Sequence, residues 1–297
     1  MSRLVAAVLA AVLVLAGCAG GGDRAGVVVT TNILGDVTRA IAGDQAEVTV
    51  LMRPGADPHS FALSAQEAAL LADAGLVVHN GLGLEEGVAR NVAAAAEAGV
   101  PTLAAGEAAD PIPYAEGAPD PHFWTDPGRM GLVVRAIADE VARVPGADAA
   151  VVRANAEGYL RELDALDAWM TERFATIPAE RRKLVTNHHV FGYLAQRYGF
   201  EVVGAVVPSG TTLASPSPSD LAGLAGAIRA AGVPAIFADS SQPDRLARVL
   251  ADQAGVHVRV VPLHSESLTA PGGGAATYLE MMRSNTDAIV TALAENR

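Results

Sequence analysis

The chain of 297 residues contains one cysteine, Cys18, so no disulfide can form within it and its stability must come from a packed core. No apolar run is long enough to cross a bilayer: the candidate, residues 4–17, falls short of the ~20 residues a spanning helix needs. Positive charge is also scarce. The 21 Lys and Arg side chains face 33 Asp and Glu, a net charge of −12, which argues against nucleic acid or anionic lipid as a partner. The same excess also serves plain solubility. Two hydrolase signatures are missing, the His-Glu-x-x-His helix and the nucleophile elbow, which weakens a reading as a secreted zinc hydrolase. What the chain has in quantity is apolar sequence, 51% of it, enough for a sizeable core and too much for a disordered class.

Residues 4–17 follow Arg3 and close on Leu15-Ala16-Gly17-Cys18 before a Gly-rich polar tract. The pattern reads as a secretory signal with a small-residue cleavage site. Ending on the single cysteine, it resembles the lipobox of bacterial lipoproteins, which implies cleavage before Cys18 and a lipidated Cys18 as the first residue of the mature chain. That cleavage takes away Arg3 and no acidic residue, so the mature chain is more acidic by one charge.

From Val27 onward, short β-rich runs alternate with Ala/Leu-rich helical runs, the rhythm of βα units around parallel sheets. The expected class is α/β, with two lobes of mostly parallel sheet. In the first block, strands are expected at about 27–30, 47–52 and 75–79, with helices at about 33–42, 64–73, 86–98 and 128–144. The second repeats the rhythm with strands near 183–186, 202–207, 235–238 and 257–262 and helices at about 189–198, 219–231, 243–254 and 275–294. Between the blocks, Asp148 to Phe174 lacks proline, and Val152, Ala156, Tyr159, Leu163, Leu166, Met170 and Phe174 step by three and four. That is one helix of roughly 40 Å, a strut along both lobes that leaves little hinge motion. The resulting division is signal 1–18, N-terminal lobe 19–145, connecting helix 146–178 and C-terminal lobe 179–297. The Ser/Pro-rich stretch 209–220 reads as a surface loop that caps the next helix and carries no chemistry, and Gly272-Gly273-Gly274 reads as a turn.

Three histidines sit in loops beside residues that fix the backbone: Asp57-Pro58-His59, Asp120-Pro121-His122 and Asn187-His188-His189. His188 follows a strand whose carboxyl end, in an α/β sheet, is where ligands bind. Three neutral imidazoles from separate segments make a divalent-metal site suited to Zn²⁺, which accepts nitrogen at about 2.0–2.1 Å in a tetrahedral shell, whereas Mn²⁺ favours oxygen. A closed binding site needs a fourth donor. Glu266, after the last strand, is the choice; Asp239 competes from another strand end, and His264 and His189 are weaker. A carboxylate would lower the site charge from +2 to +1, and a bidentate Glu266 would make it five-coordinate. Asp57, Asp120 and Asn187 are the neighbours placed to orient the imidazoles. Phe123 and Trp124, two of few aromatics, either wall the site from water or pack as ordinary core. Imidazoles of ordinary pKa near 6.5 would lose metal below about pH 6.

These motifs, with Gly55-Ala56-Asp57-Pro58-His59, Asn80-Gly81-Leu82-Gly83-Leu84-Glu85, Pro121-His122-Phe123-Trp124-Thr125-Asp126-Pro127, Asn187-His188-His189-Val190-Phe191-Gly192-Tyr193 and the long middle helix, resemble the metal-binding lipoprotein subunits of zinc and manganese ABC transporters over nearly the whole mature chain. The resemblance implies two (β/α) lobes bridged by one helix and metal in the cleft. It also implies ligands His59, His122, His188 and Glu266, and release to a membrane permease without catalysis. Manganese-selective relatives typically carry Glu at the third position and Asp at the fourth; His188 tilts this chain to zinc, with Mn²⁺ the alternative. Glu266 departs from the common Asp, and the segment from Ala108 to Pro121 lacks the His-rich loop of many zinc members. The expected protein is an extracytoplasmic monomer, lipid-anchored or periplasmic; a metal-dependent adhesin or zinc chaperone would share the site.

Overall fold

The computed structural model describes residues 26–114, 117–255 and 258–294. Residues 1–18, with the signal segment and Cys18, lie outside them. The first four strands, β1 (Val27–Val29), β2 (Val48–Val50), β3 (Leu76–His79) and β4 (Thr102–Ala104), form a parallel sheet in the order β2-β1-β3-β4. The second sheet repeats this as β6-β5-β7-β8, from β5 (Lys183–Thr186), β6 (Glu201–Ala205), β7 (Ala235–Asp239) and β8 (Arg259–Leu263), again all parallel. In each sheet the strand order reverses beside the first strand, so each has a switch point where loops diverge at the carboxyl ends.

Helices flank both sheets: α1 (Asn32–Ala42), α2 (Ala65–Asp73), α3 (Ala89–Glu97), the one-turn α4 (Ala105–Ala108) and α5 (Pro127–Val141) in the first half. In the second half lie α7 (Gly192–Tyr198), α8 (Pro218–Ala231), α9 (Arg245–Ala254) and α10 (Tyr278–Ala294). Strand residues alternate between two buried layers, as parallel sheets covered on both faces require. Val27, Val29, Leu76 and Val78 face a core shared with the second lobe, whereas Val28 and Val77 face α2 and α3 through Leu71 and Val92. In the second sheet Leu184 and Phe237 face the shared core, and Val185 and Ile236 the outer one.

The long helix is α6 (Ala149–Ala175). The Asp148 side chain caps it by accepting the Ala150 and Val151 N–H groups, and Ile177-Pro178 follows its end. Its buried stripe is Val152, Ala156, Tyr159, Leu163, Leu166, Met170 and Phe174, the heptad-like set that the spacing marks. These residues pack on α1, α5 and α10, so one continuous core runs through both lobes. Caps also match the sequence: Ser217 and Asp220 form a capping box at α8, and Asp126 accepts the Gly128 N–H at α5.

One strand escapes the sequence pattern. β4 is only three residues, follows Pro101 and has an exposed first residue, so neither length nor apolar alternation distinguishes it from a loop. Its partner is β3, and its end leads through α4 to the loop that carries His122.

Leu166 is fully buried at the middle of the strut. Leu166→Ala should therefore cost about 2–5 kcal/mol through lost burial and the cavity left behind. Denaturant unfolding reads this directly, and a loss below about 1 kcal/mol would show that the strut is not part of the shared core.

Candidate metal centre

Each histidine is aimed by the backbone of its loop. After β2, Met52 N–H still bonds to the Thr30 carbonyl, and the chain then turns through Gly55, whose φ of +73° suits glycine. Asp57 Oδ1 then accepts the His59 N–H at 3.0 Å, an Asx turn that fixes His59. The same device recurs at His122, where Asp120 Oδ1 accepts both the backbone N–H at 3.0 Å and the ring Nδ1–H at 2.7 Å. With Nδ1 donating, His122 Nε2 carries the free lone pair. His188 leaves the end of β5, where the Thr186 hydroxyl donates to its carbonyl at 2.6 Å. Glu266 follows β8, and its N–H bonds to Asp239 Oδ2 at 3.1 Å.

These four side chains, none more than 1% exposed, converge. One ligand atom from each lies within 4.8 Å of all the others. His122 Nε2 is 3.4 Å from His59 Nε2, and the Glu266 oxygens lie 3.8 Å from His59 Nε2, 3.7 Å from His122 Nε2 and 3.0 Å from His188 Nε2. A tetrahedron with bonds of ~2.1 Å has edges of ~3.4 Å, which these separations bracket. Both Glu266 oxygens and both His188 ring nitrogens lack a hydrogen-bond partner, because even the 3.0 Å pair is not aligned as a bond. Lone pairs that face a common centre instead of one another are what a cation requires.

Burial dominates the electrostatics. It lowers His59 to about 2, helped by neighbouring His122 and His188, and lowers His188 to about 4 against the opposing pull of Asp239, Asp57 and Asp120. Glu266 moves the other way, held well above the ordinary carboxylate range by desolvation. The expectation that ordinary imidazole protonation sets acid sensitivity is thus corrected. His59 and His188 are already neutral near pH 6, and Glu266 is the ligand whose hold on a proton burial strengthens.

The remaining candidates fall elsewhere. Asp239 lies behind the centre, where its oxygens accept N–H groups of Ser241, Ser265 and Glu266 at 2.7, 3.1 and 3.1 Å, so it holds the Glu266 loop in place. His264 pairs with the Ser240 hydroxyl at 3.0 Å, and the His189 ring packs against Tyr114. Of the three residues expected to orient imidazoles, Asp120 does so. Asp57 is corrected to a backbone anchor: its second oxygen, Oδ2, accepts the Thr212 hydroxyl at 2.7 Å and the Gln242 amide at 3.0 Å, leaving none for a ring. Asn187 is corrected as well, since neither nitrogen of the adjacent His188 ring has a partner. Trp124 serves both roles weighed for it, packing edge-on to the His122 ring at 5.3 Å while its indole N–H donates to the Ser265 carbonyl at 2.8 Å. Thr212, in the loop expected to carry no chemistry, and Asn32, which donates to Ser267 Oγ at 2.7 Å, carried no sequence signal because their partners are distant in the chain.

Residues 27–292 match the family described as ZnuA, zinc-uptake complex component A, periplasmic. The chain belongs to this family. Among its relatives, the zinc-binding protein TroA of Treponema pallidum is 32% identical over 90% of this chain and 88% of its own. The manganese-binding lipoprotein MntA of Halalkalibacterium halodurans is 28% identical over 95% of both chains. The iron-binding protein YfeA of Yersinia pestis is 29% identical over 89% and 84%. The solved structure of the Treponema pallidum periplasmic zinc-binding protein TroA superposes with a TM-score of 0.85 at 31% identity, covering 91% of this chain and 99% of that one. This ZnuA-family chain is thus a metal-binding, substrate-binding subunit of an ABC transporter and not an enzyme. Among the described residues no helix is long and apolar enough to cross a membrane.

The depressed imidazoles fix the sign of a stability effect. Between the ordinary value of 6.5 and the folded values, His59 and His188 bind protons only when the chain unfolds. The metal-free protein should therefore lose stability as pH falls from 7 toward 5, opposed in part by Glu266, whose raised pKa acts with the opposite sign. Unfolding titrations at pH 7 and pH 5 should show a smaller loss for His59→Gln than for the native chain; equal losses would refute the assignment to His59.

Proposed function

We propose that this protein is the extracytoplasmic zinc-binding subunit of an ABC importer, capturing Zn²⁺ with His59, His122, His188 and Glu266 and delivering it, as a monomer, to a membrane permease. The observation that carries the reading is the convergence of three imidazoles and one carboxylate on a centre where both carboxylate oxygens have no other partner. Three nitrogens and one oxygen suit Zn²⁺ better than Mn²⁺, whose preference is for oxygen. A single buried carboxylate leaves a loaded site with charge +1, small enough for the surrounding Asp57, Asp120 and Asp239 to offset. The relatives' names divide among zinc, manganese and iron, so they support metal transport and leave the choice of metal to the donor set. One of the named relatives, MntA, is a lipoprotein, which supports a lipid anchor at Cys18 that keeps the protein at the membrane or in the periplasm.

Equilibrium competition between Zn²⁺ and Mn²⁺ on the mature chain tests the reading. Zn²⁺ should bind tighter by at least about a hundredfold, and His188→Glu, which replaces a nitrogen donor by oxygen, should narrow that margin by about tenfold or more. A native preference for Mn²⁺ would overturn the zinc assignment, and an unchanged margin in the variant would remove His188 as the residue that sets it.

A further inference from the structure

An ion held by four side chains of at most 1% exposure cannot leave unless part of the site moves. The four donors are not equally free to do so. Although Glu266 follows a strand of the second sheet, its loop is fastened to the first lobe. Asn32 donates to Ser267 Oγ at 2.7 Å and accepts the Leu268 N–H at 3.0 Å. The Gly55 N–H faces Ser267 Oγ and the Leu268 carbonyl, each at 3.0 Å, and Trp124 donates to the Ser265 carbonyl at 2.8 Å. His59, His122 and Glu266 therefore share one hydrogen-bonded frame.

His188 has a different setting. Neither of its ring nitrogens is bonded, and it borders a cavity of about 250 Å³ between the loop at 206–217 and the start of α9. Hydrogen bonds tie the walls of that cavity to the first lobe at one point. Among the described residues, the hydrogen bonds that cross from this loop and from residues 240–244 to the first lobe end on Asp57 Oδ2, from the Thr212 hydroxyl and the Gln242 amide. The other oxygen of the same carboxylate holds the His59 N–H.

We propose that Asp57 is a positioning residue that latches a one-sided gate. The metal leaves when Thr212 and Gln242 release Asp57 and His188 withdraws with its wall into the adjoining cavity, while His59, His122 and Glu266 keep their frame. The inference rests on the metal-delivery reading above and adds to it which side opens. Two bonds to a buried carboxylate are charge-assisted, strong enough together to slow opening by at least tenfold, yet readily exchanged for water once the wall moves.

The test uses the full chain loaded with Zn²⁺, its release followed by stopped flow into excess chelator, with Co²⁺ absorption reporting coordination. Thr212→Val combined with Gln242→Leu should release Zn²⁺ at least about tenfold faster with an unchanged Co²⁺ spectrum, and Thr212→Ser alone, which keeps the hydroxyl, should release at the native rate. Asp57→Asn, which still accepts the His59 N–H but presents an amide to Thr212 or Gln242, should also accelerate release and serves if the double variant does not fold. Release within about twofold of native in the folded variants overturns the gate, as does an altered Co²⁺ spectrum, which would mean that the bonds hold the donors themselves. A native chain that takes up neither Zn²⁺ nor Co²⁺ overturns the metal-delivery reading instead.

Discussion

The structure is organised around a carboxylate with nothing to bond to. Glu266 is buried, both of its oxygens lack a hydrogen-bond partner, and the groups facing it are imidazole nitrogens that are themselves acceptors or unpaired. An unsatisfied buried acceptor costs about 1–3 kcal/mol, more when charged, so such a cluster relaxes unless the surroundings forbid it. They do: Asp239 holds the Glu266 N–H, Asp120 holds both the backbone and the ring of His122, and Asp57 holds the backbone of His59. Three of the four donors are thus fixed by aspartates that are not themselves ligands, and the fourth, His188, is held through its carbonyl by the Thr186 hydroxyl.

That local restraint needs two lobes that keep their distance. The two sheets share one strand order, which places a switch point in each and turns the carboxyl ends of the strands toward the centre. The buried stripe of α6 and the core it shares with α1, α5 and α10 set the separation. Adjustment is left to the loops, because a continuous close-packed core does not deform gradually.

Much of this is legible in the chain. Seven residues at three and four spacing mark the strut, and the Asp-Pro-His and Asn-His pairs mark three donors, because both signals are local: helical periodicity and backbone restriction act within a few residues. What is not legible depends on proximity without sequence nearness. The Thr212 and Gln242 bonds to Asp57 join residues 155 and 185 positions apart, and Asn32 meets Ser267 across 235. The opposite shifts of the imidazoles and the carboxylate are invisible for the same reason, since the sequence shows which groups titrate but not how deeply each is buried. β4 fails differently: three residues are too few to show a period.

The shifted pKa values also bear on how one site can both capture and surrender an ion. Burial raises the pKa of Glu266 because it penalises the charged carboxylate. A cation and a proton are alternatives at the same oxygens, and His59 and His188, whose pKa values burial lowers, supply nitrogen lone pairs without a proton to expel. The attraction of the carboxylate for a divalent cation is thus offset by the same desolvation that raises its pKa. A site with two or three buried carboxylates would face mutual repulsion when empty and hold its ion against a larger electrostatic well when full. Three imidazoles and one carboxylate sit between those limits, and in a carrier whose cargo must be passed on, that intermediate depth favours both halves of the task.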